Sequence, residues 1–415
     1  MKYFFLFLFL IIFSAFSFSQ LEVCNTCSIK SIKQAIKIAD TGATILVKKG
    51  IYIEDSIIIK KPLTLKGIGK PVIDGKKKGY VIEVNSENVT IDGFVIKNVG
   101  VSYTKDYAAV HLYKSNNFKL LNNRLETVFF GFLIEKSDGG IVKNNIVSSN
   151  AQHEYNSGNG IHLWHCDSVE INGNECFGLR DGIYFEFVTN TLIHKNTSHN
   201  NLRYGLHFMF SNNNEYHHNH FQKNGAGVAV MFSKFLKMHH NIFENNWGNA
   251  AYGLLLKEIY DAELRNNEFR NNTTAIKAEG STRVNYSNNN FVENGWAVKI
   301  TGACYENKFT LNNFVNNSFN LSYNSKINDN SFNSNYWSDY SGYDLDRNGV
   351  GDIPFRPVKL FNYVVNQTPE SIVLMRSLFI DIINFSEKVS PVFTPDEVKD
   401  NTPLMKKNPF QLKLN

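Results

Sequence analysis

Soft metal ligands are concentrated in one short stretch of this 415-residue chain. The sequence GLHFMFSNNNEYHHNHFQKNGAGVAVM runs from Gly205 to Met231, and the segment 207–240 holds six of the 12 histidines and three of the six methionines. These residues are His207, His217, His218, His220, His239, His240, Met209, Met231 and Met238. Imidazole and thioether groups together are the ligand set expected for Cu(I), and they select against Mg²⁺ and Ca²⁺. The stretch is therefore either a metal site or a local run of surface histidines.

The alternation of the surrounding strands indicates which of these side chains face outward. After a small residue such as Gly205, apolar residues at the first, third and fifth positions are expected to fill a core, so the second and fourth positions face out. This places His207 and Met209 on one face, roughly 6.7 Å apart along the strand, with Met231 about 4.8 Å away on the next strand. His162 occupies the same face two repeats earlier. We predict a copper site from these four residues, and the alternative is that the two methionines are hydrophobic contacts for a partner.

A repeat organises the chain from residue 80 to about residue 335. An Asn-x-apolar motif recurs at spacings of 22 to 29 residues, and a small residue stands 14 positions before eight of its nine asparagines. The asparagines are Asn123, Asn145, Asn174, Asn196, Asn219, Asn241, Asn267, Asn289 and Asn312. Short strands at a period near 22 predict an all-β fold, a parallel β-helix with one coil per repeat, and right-handed crossovers are the expected hand. Stacked asparagines at one corner are expected to pass hydrogen bonds from coil to coil, whereas Asn201 lies outside this column and is expected to be dispensable.

Other candidate ligands have simpler interpretations. His194, His217 and His239 share an outward column on another face, where solvated histidines are the alternative to a second metal ladder. Cys24 and Cys27 form CNTC, which in an oxidising compartment is a disulfide or an idle pair, with metal capture or redox exchange as the alternative. The strand alternation assigns four other residues of the repeat to the core: Met238, Phe187, Phe210 and Phe232.

An Asp/Gly-rich segment follows the last repeat. The sequence NYWSDYSGYDLDRNGVGDIPF contains oxygen ligands at alternate positions, with Gly349 available for a tight turn. The candidate ligands are Asp344, Asp346, Asn348 and Asp352. They resemble a calcium-binding loop of the EF-hand type without its distal glutamate. A cap built from Asx turns is the alternative interpretation.

The ends of the chain indicate secretion and docking. An apolar run up to Phe18 and a small-x-small pattern before Gln20 predict a signal peptide and a periplasmic address. We divide the chain into the signal peptide at 1–19, an N-terminal cap with a helix near 28–40 at 20–79, β-helix coils at 80–335, the Asp/Gly-rich loop at 336–358, and a C-terminal helix with an extended tail at 359–415. The helix, expected at 369–386, and the tail are expected to dock onto a partner. A formal charge of only +5 without a basic block disfavours nucleic acid.

Several motifs together resemble one family. The CNTC-helix-strand opening, KPLTLKGIG, the tandem YGLHFMFS and VAVMFSK coils, NYWSDYSGYDLDRNGVGDIPF and the terminal NTPLMKK are similar to those of the NosD family, periplasmic maturation proteins of nitrous oxide reductase. The resemblance covers nearly the whole mature chain. It implies a right-handed β-helix that is not an enzyme, associates with an ABC transporter of NosF and NosY subunits, and supplies copper together with the chaperone NosL. His207, Met209 and Met231 fall on the family's motif, whereas His162 rests on the register alone.

Carbohydrate chemistry is the alternative function, because many β-helices are polysaccharide lyases, hydrolases or epimerases. Such chemistry needs clustered carboxylates or a base near a cation in the outward groove. Here Glu135 and Glu186 are two coils apart, with His162 and Trp164 between them. A solenoid serving only adhesion is a third interpretation.

Overall fold

The structure, a computed structural model, describes residues 20–248, 251–324, 329–375, 377–389 and 397–410. Short strands follow one another around each coil and pair in parallel with their counterparts one coil away. Within the described residues they form three parallel sheets of 14, 13 and 12 strands, named A, B and C below. The predicted all-β parallel β-helix is therefore confirmed. The predicted signal peptide at 1–19 lies outside the described residues.

Each coil passes from sheet C to sheet A and then to sheet B. Sheet A contains Gln20–Val23, Thr44–Lys48, Thr64–Ile68, Thr90–Asp92, Lys119–Leu121, Ile141–Lys143, Glu170–Asn172, Leu192–His194, Glu215–His217, Lys237–His239, Tyr260–Arg265, Thr282–Ser287, Lys308–Thr310 and Ser331–Asn333. Sheet B contains Ile51–Tyr52, Val72–Asp74, Val95–Lys97, Arg124–Glu126, Ile146–Ser148, Glu175–Phe177, Thr197–His199, His220–Gln222, Ile242–Glu244, Glu268–Arg270, Asn290–Val292, Asn313–Val315 and Tyr336–Trp337. Sheet C contains Ile57–Ile59, Ile82–Val84, Ala108–Tyr113, Phe130–Glu135, Asn159–Trp164, Asp181–Glu186, Tyr204–Met209, Ala226–Met231, Tyr252–Lys257, Thr274–Glu279, Trp296–Thr301 and Phe319–Asn324.

The core runs along the axis of the solenoid as stacks of like side chains. On sheet B the rings of Phe221, Phe243, Phe269, Phe291, Phe314 and Trp337 lie one above the next, with centroids 4.1 to 5.6 Å apart. Leu206, Phe208, Val228 and Val230 of sheet C are fully buried, as the alternation predicts. Met238 is also fully buried, and its predicted core position is confirmed.

The fifth position after each small residue departs from this alternation. Phe187, Phe210 and Phe232 were assigned to the core, but Phe187 and Phe210 are 41% and 40% exposed. All three residues have positive φ, of 54°, 49° and 53°, so the backbone reverses its bend at the strand end and the ring points outward. There the three rings stack on one another, 5.3 and 5.0 Å apart.

The predicted asparagine ladder lies at the corner between sheets A and B. Asn219, for example, donates from its backbone N–H and from Nδ2 to Oδ1 of Asn241, at 3.1 and 3.0 Å, and Nδ2 also donates to the Ile193 carbonyl. The ladder continues beyond the predicted members to Asn335. Because each amide is fully buried, the ladder satisfies backbone groups that water cannot reach.

A second ladder lies at the corner between sheets B and C. Its members are Asn201, Asn224, Asn246, Asn272, Asn294 and Asn317. Asn201 is buried, accepts from the Leu179 N–H and donates to Oδ1 of Asn224. Asn201 therefore has the same hydrogen-bonding role as the members of the first ladder, which argues against the expectation that it is dispensable.

Two long turns also lie at the corner between sheets B and C. The first, at 148–159, contains a 3₁₀ helix at Glu154–Asn156. The second, at 246–252, carries Trp247, which is well exposed among the described residues of that turn. Both lead into a strand of sheet C, so the prediction that the two insertions project from one corner is confirmed.

Helices lie at both ends of the solenoid. Helix α1 (Ile32–Ile38) begins at the N-cap Ser31 and packs Ile32, Ala35 and Ile36 against the core. A single helix was predicted at 369–386. The described residues of the C-terminal region instead form α2 (Leu360–Gln367), a 3₁₀ helix (Pro369–Leu374) and α3 (Leu378–Val389). No helix in the described ranges is long and apolar enough to cross a membrane.

Part of the C-terminal tail closes the solenoid. Asp400 is fully buried, and its Oδ2 accepts from the Asn335 N–H, from Asn335 Nδ2 and from Trp337 Nε1, at 2.9, 3.0 and 3.1 Å. Farther along, the Asn408 N–H donates to Oδ1 of Asn313. The sequence indicates a free docking tail, but residues 397–410 pack on the last coils because a carboxylate there ends the first asparagine ladder.

Candidate metal centre

Met209 and Met231 are the last residues of the adjacent sheet C strands Tyr204–Met209 and Ala226–Met231. They are paired in register, and both side chains are half-buried on the outer side of the sheet. The Tyr184 hydroxyl of the preceding strand lies 3.7 Å from Sδ of Met209. The predicted pairing of the two thioethers is therefore confirmed, and both sulfurs belong to one outward column.

His207 lies on the same sheet but is much less accessible than predicted. The side chain is almost fully buried, and neither Nδ1 nor Nε2 has a hydrogen-bond partner. The rings of Tyr184 and Tyr204 cover it, with centroids 4.9 and 4.7 Å away. The expectation of an exposed ligand is wrong, because two neighbouring tyrosines shield this position from solvent.

A buried ion pair flanks His207. Arg203 donates from Nε and from an Nη to the two oxygens of Asp181, at 2.9 and 2.5 Å, and Asp181 is fully buried. Burial raises the pKa of the Asp181 carboxyl, but the Arg203 guanidinium and the nearby His207 together outweigh burial, so that pKa is below its usual range. Nδ1 of His207 lies 3.8 Å from this carboxylate, too far for a hydrogen bond.

His162 is not brought to the methionines. Tyr184 separates it from His207, since the three residues lie on successive strands of sheet C. Burial first, and then the charge of Arg180, lower the pKa of His162 to about 4. Nδ1 of His162 lies 3.3 Å from the Asn159 amide. His162 is therefore a neutral histidine one strand beyond Tyr184, apart from the other three copper candidates.

The remaining three residues suit a soft cation. Two neighbouring thioethers are preferred by Cu(I). Both ring nitrogens of His207 are buried without a partner, which is costly for a polar group. A cation bound to one of them would break no existing hydrogen bond of that ring. Three ligands at a half-buried surface favour exchange over permanent retention.

A second group of histidines lies at the corner between sheets A and B. His217 and His239 are paired in register, and their rings stack 4.9 Å apart. The following residues, His218 and His240, form a parallel stack with the same 4.9 Å spacing. Nδ1 of His217 lies 2.8 Å from Nδ1 of His218, and Nδ1 of His239 lies 3.0 Å from Nδ1 of His240. We call these four residues the histidine square.

The surroundings keep the histidine square uncharged near neutral pH. Burial and then the neighbouring His239 lower the pKa of both His217 and His240 to about 4. The pKa values of His218 and His239 are also lowered, again chiefly by burial. His194, the third residue of the predicted column, stacks on His217 at 5.1 Å, and its Nε2 lies 3.1 Å from Glu170. The solvated-histidine interpretation is therefore wrong for this column, whose rings are partly buried and stacked.

The other predicted metal ligands are occupied by local interactions. Cys24 and Cys27 form a disulfide, so neither sulfur is a free thiolate for copper. In the Asp/Gly-rich loop, Asp344 accepts from the Asn348 and Gly349 N–H groups, and Asp352 accepts from the Leu345 N–H. Across the described ranges, no three His, Cys, Asp or Glu side chains surround a common point that could hold a metal ion. These hydrogen bonds are the ones that the Asx-turn interpretation of this loop predicts.

Two features of this region were not predicted from the sequence. The histidine square depends on His218 and His240 as much as on the predicted His217 and His239. The signal was present, because the dipeptide His-His occurs twice at a spacing of 22 residues, one full coil. The shielding of His207 by tyrosines of two strands has no comparable pattern in the sequence.

Comparison with known proteins gives one family. A family model described as "Periplasmic copper-binding protein (NosD)" matches residues 36–155 and 147–342. Two curated relatives are both named "Probable ABC transporter binding protein NosD". The protein from Pseudomonas aeruginosa is 26% identical over 375 residues, which covers 85% of this chain and 86% of the relative. The protein from Stutzerimonas stutzeri is 26% identical over 373 residues, with 84% of each chain covered.

Solved structures share the fold at low sequence identity. The A-module of a mannuronan C-5 epimerase from Azotobacter vinelandii superposes with a TM-score of 0.58 at 10% identity, covering 70% of this chain and 91% of the module. A surface adhesin of Streptococcus pneumoniae gives a TM-score of 0.55 at 14% identity, with 73% and 85% covered. At such identities the likeness concerns the β-helix alone, which carries unrelated activities.

Proposed function

The chain belongs to the NosD family of periplasmic copper-binding proteins, and from this premise we propose that it handles copper for the maturation of nitrous oxide reductase. In this proposal the protein is secreted to the periplasm, binds Cu(I) transiently as cargo and does not catalyse a reaction. Its partners are an ABC transporter built from NosF and NosY, the copper chaperone NosL and the reductase itself. The name of the curated relatives supports the transporter as a partner.

The observation that carries this proposal is the methionine pair of sheet C. Met209 and Met231 are in register, and the unpartnered ring of His207 is two residues from Met209. Thioethers have no role in holding the coils together at an outward position, where the core alternation does not need them. They are ligands that favour Cu(I) over the harder cations of the periplasm. Transient copper binding would explain why Met209, Met231 and His207 occur together on this face.

The same face supports carbohydrate chemistry less well. Glu135 accepts a hydrogen bond from His111 at 2.6 Å, and that bond lowers the pKa of its carboxyl. Asp181 is buried and bound by Arg203. Glu135 and Glu186 are separated by the Trp164 strand. These carboxylates are engaged or apart, so they are poorly suited to act as an acid and base pair on a bound sugar.

We expect Met231→Leu to weaken Cu(I) binding while leaving stability nearly unchanged. Leucine keeps the volume of a half-buried side chain but has no sulfur to donate. The measurement is a competitive Cu(I) titration with a chromophoric chelator, together with a thermal melt. Met238→Leu is the matched control, since Met238 is a fully buried methionine seven residues away.

The control should bind Cu(I) like the wild type. His207→Ala should weaken binding as Met231→Leu does, and the double variant should add little because both changes break one site. Wild-type affinity in Met231→Leu together with a loss in Met238→Leu would overturn the proposed site. In cells, Met231→Leu should reduce maturation of the reductase.

Helix α3 offers a surface for the transporter. Ile380 packs inward in the cluster formed by Trp296, Phe319 and Phe361, whereas the opposite side of α3 is apolar and exposed. The exposed residues are Leu378, Phe379, Ile382 and Phe385. A contiguous apolar helix face on the surface is typical of a docking site. We assign it to the membrane subunits of the transporter.

The double variant Phe379→Ser/Phe385→Ser should lose association with the transporter, measured by co-purification in detergent. Both rings are exposed, so the solenoid should keep its melting temperature. Tyr103→Ser is the control, because Tyr103 is an exposed aromatic residue far from α3 in the sequence. Undiminished co-purification of the double variant would show that α3 is not the dock.

A further inference from the structure

The histidine square is not required by the fold. His218 and His240 occupy the turn position just before the asparagines of the first ladder, and both have positive φ, of 54° and 55°. In four other coils this position is asparagine, which adopts positive φ readily. Those residues are Asn122, Asn144, Asn266 and Asn288, and all four have positive φ. Turn geometry does not select histidine there, since Lys195, Leu311 and Ser334 occupy the same position with positive φ in other coils.

The hydrogen bonds of the square fix the proton positions in the pair His239 and His240. Nε2 of His239 lies 2.8 Å from Oε1 of Glu215, so this nitrogen carries the ring proton and donates it to the carboxylate. Nδ1 of His239 is then an acceptor, and His240 donates its Nδ1 proton to it at 3.0 Å. A carboxylate that fixes the outer nitrogen of a histidine is the usual support of a metal-ligating imidazole.

From this geometry we propose that His217, His218, His239 and His240 bind one divalent copper ion through their Nδ1 atoms, at a site separate from the methionine pair. The choice of copper among divalent metals rests on the proposed function, while the site itself rests on the four rings. Imidazole is a good ligand for several first-row metals, and copper is bound most tightly among them.

The distances within each His-His pair suit such an ion, and the two pairs must move to share it. Two nitrogens at roughly 2.0 Å from one metal, at a right angle, are about 2.8 Å apart. The two Nδ1–Nδ1 distances, 2.8 and 3.0 Å, already meet this condition within each His-His pair. The two pairs are stacked one coil apart, so the rings must tilt toward each other, and the described side chains are not yet gathered around one point.

The protons balance without any added reagent. In each pair the proton shared between the two Nδ1 atoms leaves the donor ring as the metal enters. It reappears on the outer Nε2 of the same ring through solvent exchange. All four rings stay neutral, so the ion's charge is not opposed by imidazolium.

The test uses the double variant His218→Asn/His240→Asn of the full mature chain. Asparagine keeps the turn conformation that neighbouring coils use, so the melting temperature without metal should not change. Wild type should bind one equivalent of Cu(II) with a multi-nitrogen pattern in its electron paramagnetic resonance spectrum. The double variant should lose that pattern and at least about tenfold in Cu(II) affinity. His199→Gln is the control, because His199 also pairs with a glutamate but has no neighbouring histidine.

The outcomes separate this site from the methionine pair. Loss of Cu(II) binding with normal Cu(I) titration in the double variant supports the site. Wild-type Cu(II) affinity and an unchanged spectrum in the double variant overturn it, whatever Met231→Leu does to Cu(I). An equal loss in His199→Gln also overturns it, since copper would then bind surface histidines in general. Tighter binding of Zn(II) than of Cu(II) by the wild type overturns the assignment to copper.

Discussion

Asp400→Ala should lower the free energy of unfolding by about 5 kcal/mol, because several buried donors lose an acceptor at once. The carboxylate accepts from the Asn335 N–H, from Asn335 Nδ2 and from Trp337 Nε1, and it is fully buried. Alanine would leave the Asn335 N–H and Trp337 Nε1 unpaired in a site closed to water, whereas Asn335 Nδ2 would keep its bond to the Phe309 carbonyl. Chemical denaturation followed by circular dichroism measures the change.

Asp344→Ala is the matched control for this prediction. Asp344 also accepts from backbone N–H groups, but it lies on an exposed turn where water replaces the lost bonds. We therefore expect a much smaller loss of stability from this change than from Asp400→Ala. Equal effects of the two substitutions would mean that the Asp400 carboxylate does not close the ladder.

Asn219→Leu and Asn201→Leu should each destabilise the protein by about 4 kcal/mol. Asn219 links Asn196 to Asn241 in the first ladder, and Asn201 links the Leu179 N–H to Asn224 in the second. In both cases leucine removes donors and an acceptor from a buried turn. Thermal and denaturant unfolding should give similar losses for the two variants.

Asn150→Leu serves as the comparison, since Asn150 is an exposed asparagine of the first insertion. Its effect should stay within roughly 0.5 kcal/mol. A small loss for Asn201→Leu beside a large one for Asn219→Leu would show that the second ladder contributes little to stability.

The solenoid and its register were predictable because they follow from spacing. A repeat near 22 residues fixes one coil, and strand alternation then separates Met231 from Met238 although they are the same residue type. The alternation failed at Phe187, Phe210 and Phe232, where a backbone of positive φ ends the strand. That conformation depends on how the turn meets the next sheet, which the apolar pattern does not contain.

The candidate site was predicted less completely than the fold. The register of Met209 and Met231 follows from the repeat, but the burial of His207 depends on the rings of Tyr184 and Tyr204. Predicting that burial requires knowing the directions in which side chains of neighbouring strands point. The role of Asp400 was hidden for a similar reason, since a single carboxylate in a polar tail has no periodic partner to indicate its position.

The first asparagine ladder gives the solenoid an electrical polarity. The backbone N–H and one Nδ2 hydrogen of each ladder residue donate toward the C-terminal coils, and the other Nδ2 hydrogen donates to a carbonyl of the preceding coil, so the forward bonds leave a net dipole along the axis. The positive end of this array meets the negative charge of Asp400, the counterpart of an anion at a helix N-terminus. Without it the last coil would present bare donors beside open strand edges, a template for another chain to extend. The buried carboxylate thus ends the ladder and removes bare donors from the face on which another chain could pair.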